Sequence, residues 1–100
     1  MDINFNYVHV TASERLEEFT NKKLEKLKQR YDWIVSAEVF IKKENTSVQD
    51  KGMICEIKLS APGSNLFSSA NEKSFEAAIA GAVDDMKRQL EKKKDKMIAH

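Results

Sequence analysis

From Phe75 onward, Phe75, Ala78, Ile79, Ala82, Val83, Met86, Leu90 and Met97 recur at the three- and four-residue spacing of one helix face. Such a stripe must be buried against another layer, and no other segment restricts the fold so strongly. Ser74, just before the stripe, is the candidate N-cap, because its hydroxyl can accept from a free backbone N–H of the first turn. A second stripe of Leu16, Phe19, Leu24, Leu27 and Tyr31 predicts an earlier helix ending near Tyr31 and Asp32. Its start reads as a capping box: Thr11 accepts from the backbone N–H of Glu14, and the Glu14 carboxylate reaches back to Thr11.

The remaining apolar residues follow a period of two. An opening strand over roughly Ile3 to Val10 alternates Ile3 and Phe5 with Asn4 and Asn6. The alternation slips near Tyr7, leaving Val8 and Val10 as the apolar pair, so a bulge or kink is expected there. Ile34 to Lys42 sets Val35, Ala37, Val39 and Ile41 on one face, and Met53 to Ser60 does the same with Met53, Cys55, Ile57 and Leu59. The polar stretch Glu44 to Lys51 joins them as a hairpin loop, and Pro62-Gly63 is a turn into a short fourth strand, Leu66 to Ala70. The expected fold is α+β: a two-layer sandwich in the order β-α-β-β-β-α, a four-stranded sheet with two helices packed on one face. A chain of 100 residues is long enough for one core and too short for two, so residues 1–100 read as a single domain.

Several function classes fall away. No apolar run approaches the roughly 20 residues that cross a bilayer, and MDINFNYVHV lacks the basic start and apolar block of a signal peptide. Cys55 is the only cysteine, which excludes an internal disulfide and suits a reducing, cytoplasmic setting. Alternating with Met53 and Ile57, it reads as a buried, inert thiol. His9 and His100, the only histidines, stand at metal-ligand spacing from neither Cys55 nor each other. Asp84-Asp85 and Glu17-Glu18 read as solvated helix positions, and Gly52, Gly63 and Gly81 stand apart, so there is no glycine-rich phosphate loop. The chain reads as a binding protein, with no catalytic residue, metal or cofactor.

Its net charge of +1 conceals a segregated distribution. The first helix opens with Glu14, Glu17 and Glu18, then carries Lys22, Lys23, Lys26, Lys28 and Arg30 against Glu25 alone. In the last helix Asp84 and Asp85 precede Lys87, Arg88, Lys92, Lys93, Lys94 and Lys96, opposed only by Glu91 and Asp95. Complementing the helix macrodipole accounts for this order of signs, although one or two bases would satisfy the last turn. Lys22, Lys26 and Arg30 form one file at four-residue spacing, and Arg88, Lys92 and Lys96 form another. Like charges so spaced repel by a few tenths of a kcal/mol per pair, whereas a polyanion lying across both files would reverse the sign. If the helices lie side by side and parallel, their basic halves make one patch. Stacking aromatics are scarce: Trp33 and Phe40 are the candidates, and both read as core or edge packing. Recognition should therefore follow phosphate and shape more than base sequence.

The segment from Ala77 to His100 resembles the last helix of the ribosome hibernation promoting factor and ribosome-associated inhibitor family. There an Ala-Ala-Ile stretch (Ala77, Ala78, Ile79) precedes Arg-Gln-Leu (Arg88, Gln89, Leu90) and a lysine run (Lys92, Lys94, Lys96). Val8, Val10, Thr11, Leu16, Phe19, Lys23, Leu24, Lys26 and Leu27 are similar to the family's first strand and helix. The resemblance covers essentially the whole chain and is loosest from Lys43 to Ser69. Ala80 departs from a usual aspartate and Asp85 from a common lysine, and two extra residues separate Val10 from Leu16.

The resemblance implies a basic helical surface on small-subunit rRNA, in the channel between head and body, blocking mRNA and the aminoacyl and peptidyl tRNA sites in stationary phase. The chain stops directly after the basic helix and so resembles the family's short form. The expected phosphate contacts are Lys22, Lys23, Lys26, Arg30, Arg88, Lys92, Lys94 and Lys96, with Lys42 contributing from the sheet. The expected partner is the small ribosomal subunit and its rRNA, met by a cytoplasmic protein that is monomeric off the ribosome, with no membrane or small-molecule substrate. A double-stranded RNA-binding domain shares the layout but starts its last helix with lysines, where this chain has Ser74, Phe75 and Glu76. A protein-interaction module modulating a transcription factor is the other alternative, and it would need an exposed apolar patch.

Overall fold

A computed structural model describes residues 1–98, with side chains described as far as residue 96. The side chain of Met97, which belongs to the apolar stripe read from the sequence, and the whole of His100 thus lie outside what is described. The elements are β1 (Asp2–Val8), α1 (Glu14–Arg30), β2 (Ser36–Lys43), β3 (Met53–Ala61), β4 (Ser64–Glu72) and α2 (Phe75–Ile98). They form the expected β-α-β-β-β-α order, with a sheet ordered β1-β2-β3-β4. β1 pairs parallel to β2, and the other two pairings are antiparallel.

Parallel pairing requires a crossover between β1 and β2, and α1 supplies it. The sheet turns Ala37, Val39, Ile41, Cys55, Ile57 and Leu59 inward, where they meet Leu16, Leu24 and Leu27 of α1 and Ala78, Ile79, Ala82, Val83, Met86 and Leu90 of α2. Small residues let α2 approach β4 closely: Ser68 is buried, and a Cβ added to Gly81 would sit 3.1 Å from the Ala70 Cβ. The buried Thr20 hydroxyl donates to the Leu16 carbonyl at 2.7 Å, which satisfies it without a tertiary partner.

Four local expectations change. The β1 register is unbroken from Asp2 opposite Ser36 to Val8 opposite Lys42, so there is no slip at Tyr7. Tyr7 faces inward and Val8 outward, and the kink comes at His9, whose φ of 59° lies in the left-handed region. The α1 cap is Ser13 and not Thr11: the Leu16 N–H donates to the Ser13 hydroxyl at 3.3 Å. Tyr7 fixes this corner, its hydroxyl donating to the Glu17 carboxylate at 2.7 Å and accepting from the Ser13 N–H at 3.3 Å. β4 spans nine residues, well beyond Leu66–Ala70, since an edge strand can extend its backbone ladder through polar side chains. Val35, placed on the inward face from its parity, precedes β2 and is 60% exposed. Ser74 does cap α2, accepting from the Ala77 N–H at 3.1 Å.

Ser13→Ala should therefore cost about 1 kcal/mol in urea unfolding, while Thr11→Ala should leave stability unchanged. The Cys55 thiol is fully buried, and burial pushes its pKa from 9.0 up to about 12. The unfolded thiol releases its proton at lower pH than the folded one, so stability should fall as pH rises from 9 toward 12. Cys55→Ala should flatten that decline, and native Cys55 should resist polar thiol reagents at neutral pH.

Candidate nucleic-acid interface

Two ion pairs report how the helices lie. Arg15 meets Glu76 at 2.7 Å near the helix starts, and Arg30 meets Glu91 at 3.5 Å near their ends. Both pairs are separated by 61 residues, so α1 and α2 run parallel and in register. Each pair is exposed and contributes at most about 1 kcal/mol. The Arg15 hydrogen bond holds the Glu76 carboxyl below its ordinary range.

Parallel helices bring their basic halves to one seam. A cleft of about 290 Å³ there has Leu27 and Val83 in its lining, with Lys23, Lys26 and Arg30 from α1, and Asp84 and Lys87 from α2. Four cations thus converge against one carboxylate. Lys87 was not among the expected contacts; it escapes a search for files because its neighbours in the cluster belong to the other helix.

The other expected contacts spread around α2. Lys94 turns toward α1, its ammonium 5.9 Å from the Tyr31 ring centre. Arg88 projects outward, 3.6 Å from Asp85. Lys92 and Lys96 line a groove on the opposite flank beside Ser64, Leu66 and Gln89. The file Arg88, Lys92 and Lys96 therefore leads over the crest of α2 toward β4, and the seam is completed by Lys87. Lys22 is exposed on α1. Lys42 lies apart from all of these on the open face of the sheet, paired with Glu56 at 2.8 Å. Asp85 accepts from the Gln89 side chain at 2.8 Å, and that amide also donates to the Phe67 carbonyl at 2.7 Å. Asp85 is thus engaged in tying α2 to β4.

The sheet's open face holds two aromatic side chains. Phe40 points outward with the Lys42 and Lys58 ammonium groups 5.7 and 5.3 Å from its ring centre, and Phe67 is 49% exposed. The sequence reading placed Phe40 in packing and did not single out Phe67. Both were accessible from parity: Val39 and Ile41 point inward, so Phe40 points out, and Phe67 alternates with Leu66 and the buried Ser68. Trp33 packs half-buried, edge-on to Tyr31 at 5.8 Å. Among the described residues no His, Cys, Asp and Glu side chains group as a metal site, and no helix is long and apolar enough to cross a membrane.

The family described as Sigma 54 modulation protein / S30EA ribosomal protein matches residues 3–98. The ribosome hibernation promoting factor of Escherichia coli strain K12 is 33% identical over 100 residues, covering 100% of both chains. Its namesake from Pseudomonas putida is 30% identical over 96 residues, 96% of this chain and 89% of that one. A ribosomal subunit interface protein from Coxiella burnetii has the same fold, with a TM-score of 0.84 at 23% identity over 95% of this chain and 99% of that one. So does the N-terminal domain of Protein Y from Thermus thermophilus, with a TM-score of 0.77 at 23% identity over 92% and 98%.

The cleft chemistry sets opposite expectations for two neighbouring residues. Asp84→Asn removes the carboxylate from the seam and should raise heparin affinity on the order of threefold. Lys87→Glu should lower it by about tenfold or more. Elution salt from a heparin column reads both.

Proposed function

The chain belongs to the sigma 54 modulation protein / S30EA ribosomal protein family, and on that premise we propose that it is a ribosome hibernation factor. In this reading it binds small-subunit rRNA through its helical layer, in the channel between head and body, and inhibits translation in stationary phase. It acts by occupancy, as a cytoplasmic, non-enzymatic monomer. mRNA and tRNA are excluded while it is bound, and factors that start translation must displace it.

The observation that carries this reading is the convergence of Lys23, Lys26, Arg30 and Lys87 on one seam between parallel helices. These cations repel one another in the free protein, and a phosphate backbone laid along the seam turns that repulsion into attraction. Lys22, Arg88, Lys92, Lys94 and Lys96 widen the basic surface around it. Lysines on flexible stems neutralise phosphates without reading bases, so register on the ribosome comes from the shape of the rRNA channel. Lys42 lies on the other side of the sheet, paired with Glu56, so any phosphate it holds belongs to a contact apart from the seam.

With about six phosphate contacts, affinity for small subunits should fall roughly a thousandfold between 50 and 200 mM salt. A flat response would rule out an electrostatic interface. Lys26→Glu combined with Lys87→Glu should abolish inhibition of cell-free translation while leaving the circular dichroism spectrum unchanged. Lys73→Glu, in the exposed turn before α2, should inhibit like the unaltered protein. Full inhibition by a folded double variant would place the ribosome-binding surface elsewhere.

A further inference from the structure

The helical seam is not the widest concavity of the molecule. Two larger hollows, of about 760 and 450 Å³, lie on the open face of the sheet. The first is built at the corner where β1 ends. Val8 and Ile54 line it as apolar surface, and His9, Lys42, Lys43 and Asn45 add polar groups. His9, with a φ of 59°, turns the chain at this corner. The second hollow lies toward β4, where Phe67 and Lys58 join Ser36, Ser60 and Asn65.

Phe40 stands between the two hollows. Its ring carries two ammonium groups, of which Lys42 is shared with Glu56, while Lys58 has no carboxylate within 4 Å among the described residues. Lys58 is also the cross-strand partner of Phe67. Two strand spacings and two residues separate the aromatic positions, so they lie about 12 Å apart. The track therefore runs hollow, ring, cation, ring, with hydroxyl and amide side chains beside it.

We propose that this open face is a separate binding surface for a short unpaired RNA segment, its bases stacked on Phe40 and Phe67. Aromatic rings accept any base face, and Lys58, over the Phe40 ring and opposite Phe67 across the β3–β4 ladder, is placed for a phosphate between the two bases. Lys42, Lys43 and Lys58 are offset by Glu38, Glu44 and Glu56, with Asp2 also outward on β1, so attraction comes from stacking, in contrast to the helical seam. The same charges disfavour a protein occupant: they sit among the apolar residues, whereas the centres of protein interfaces are depleted of charge. Val8, Phe40, Ile54 and Phe67 accordingly form no unbroken apolar patch. This surface does not depend on the ribosome reading, and it is tested without ribosomes.

The probe is a fluorescent single-stranded RNA of about eight nucleotides, titrated with the full chain and followed by anisotropy. Phe40→Leu and Phe67→Ala should each weaken binding about tenfold with the melting temperature unchanged, and Phe40→Tyr should restore it. The salt slope should correspond to about two phosphates, against about six for the helical surface on small subunits. Lys26→Glu with Lys87→Glu should leave this affinity within about threefold. Three results would overturn the proposal: no binding of the probe, binding lost in the helical double variant but kept in the phenylalanine variants, or self-association that Phe67→Ala abolishes. The last would assign the face to a second copy of the chain.

Discussion

The parallel pairing of β1 with β2 governs the arrangement of everything outside the sheet. Because the two strands run the same way, the chain must cross back between them, and α1 is that crossing. β3 and β4 then reverse direction in turn, so α2 leaves the sheet running the same way as α1. The two helices consequently lie parallel, start beside start and end beside end, as Arg15–Glu76 and Arg30–Glu91 record. An antiparallel β1 would have set the acidic start of one helix against the basic end of the other and cancelled the seam.

Aligned helices place two negative macrodipole ends together, and the concentration of Lys and Arg there offsets that local charge. The excess beyond what the dipoles require remains as exposed, mutually repelling charge at the seam. Acids temper it selectively: Glu91 meets Arg30, Asp85 meets Arg88, and Asp84 sits in the cleft itself. Stability is thus traded for an exposed concentration of positive charge. The apolar cluster beneath, with Leu24, Ile79, Met86 and Leu90 wholly buried, is what can sustain that trade.

The sheet separates two surfaces of different chemistry. One side is covered by helices whose outer face is basic; the other is open, carries charges of both signs and holds Phe40 and Phe67. The close contact of α2 with β4 through Gly81, Ala70 and Ser68 holds one boundary between them. Gln89 holds the same boundary by donating to the Phe67 carbonyl from the helical side. Phe67 and the basic residues of α2 are therefore mechanically close although they lie on opposite sides of that boundary.

The helix stripes, the basic files and the strand parities, apart from the end of β1 and Val35, were legible from residue types and spacing, because a period of 3.6 or 2 assigns each side chain to a face without reference to anything distant. The α1 cap was misread at Thr11 since capping depends on where the chain turns, and Tyr7 and His9 decide that turn. β4 was read too short because its ends are polar and only the β3 ladder makes them strand. Lys87 could not be found from one helix alone, as its cluster is assembled across two. Local periodicity was enough to fix the layers, the buried face of each helix and of β2 and β3 within their bounds, and the sign of the charge on each half-helix. The meeting of the basic halves, the facing of Lys42 away from them, and the shared open face of Phe40 and Phe67 came from the packed fold. Those depend on strand order and direction, which backbone pairing between distant segments sets.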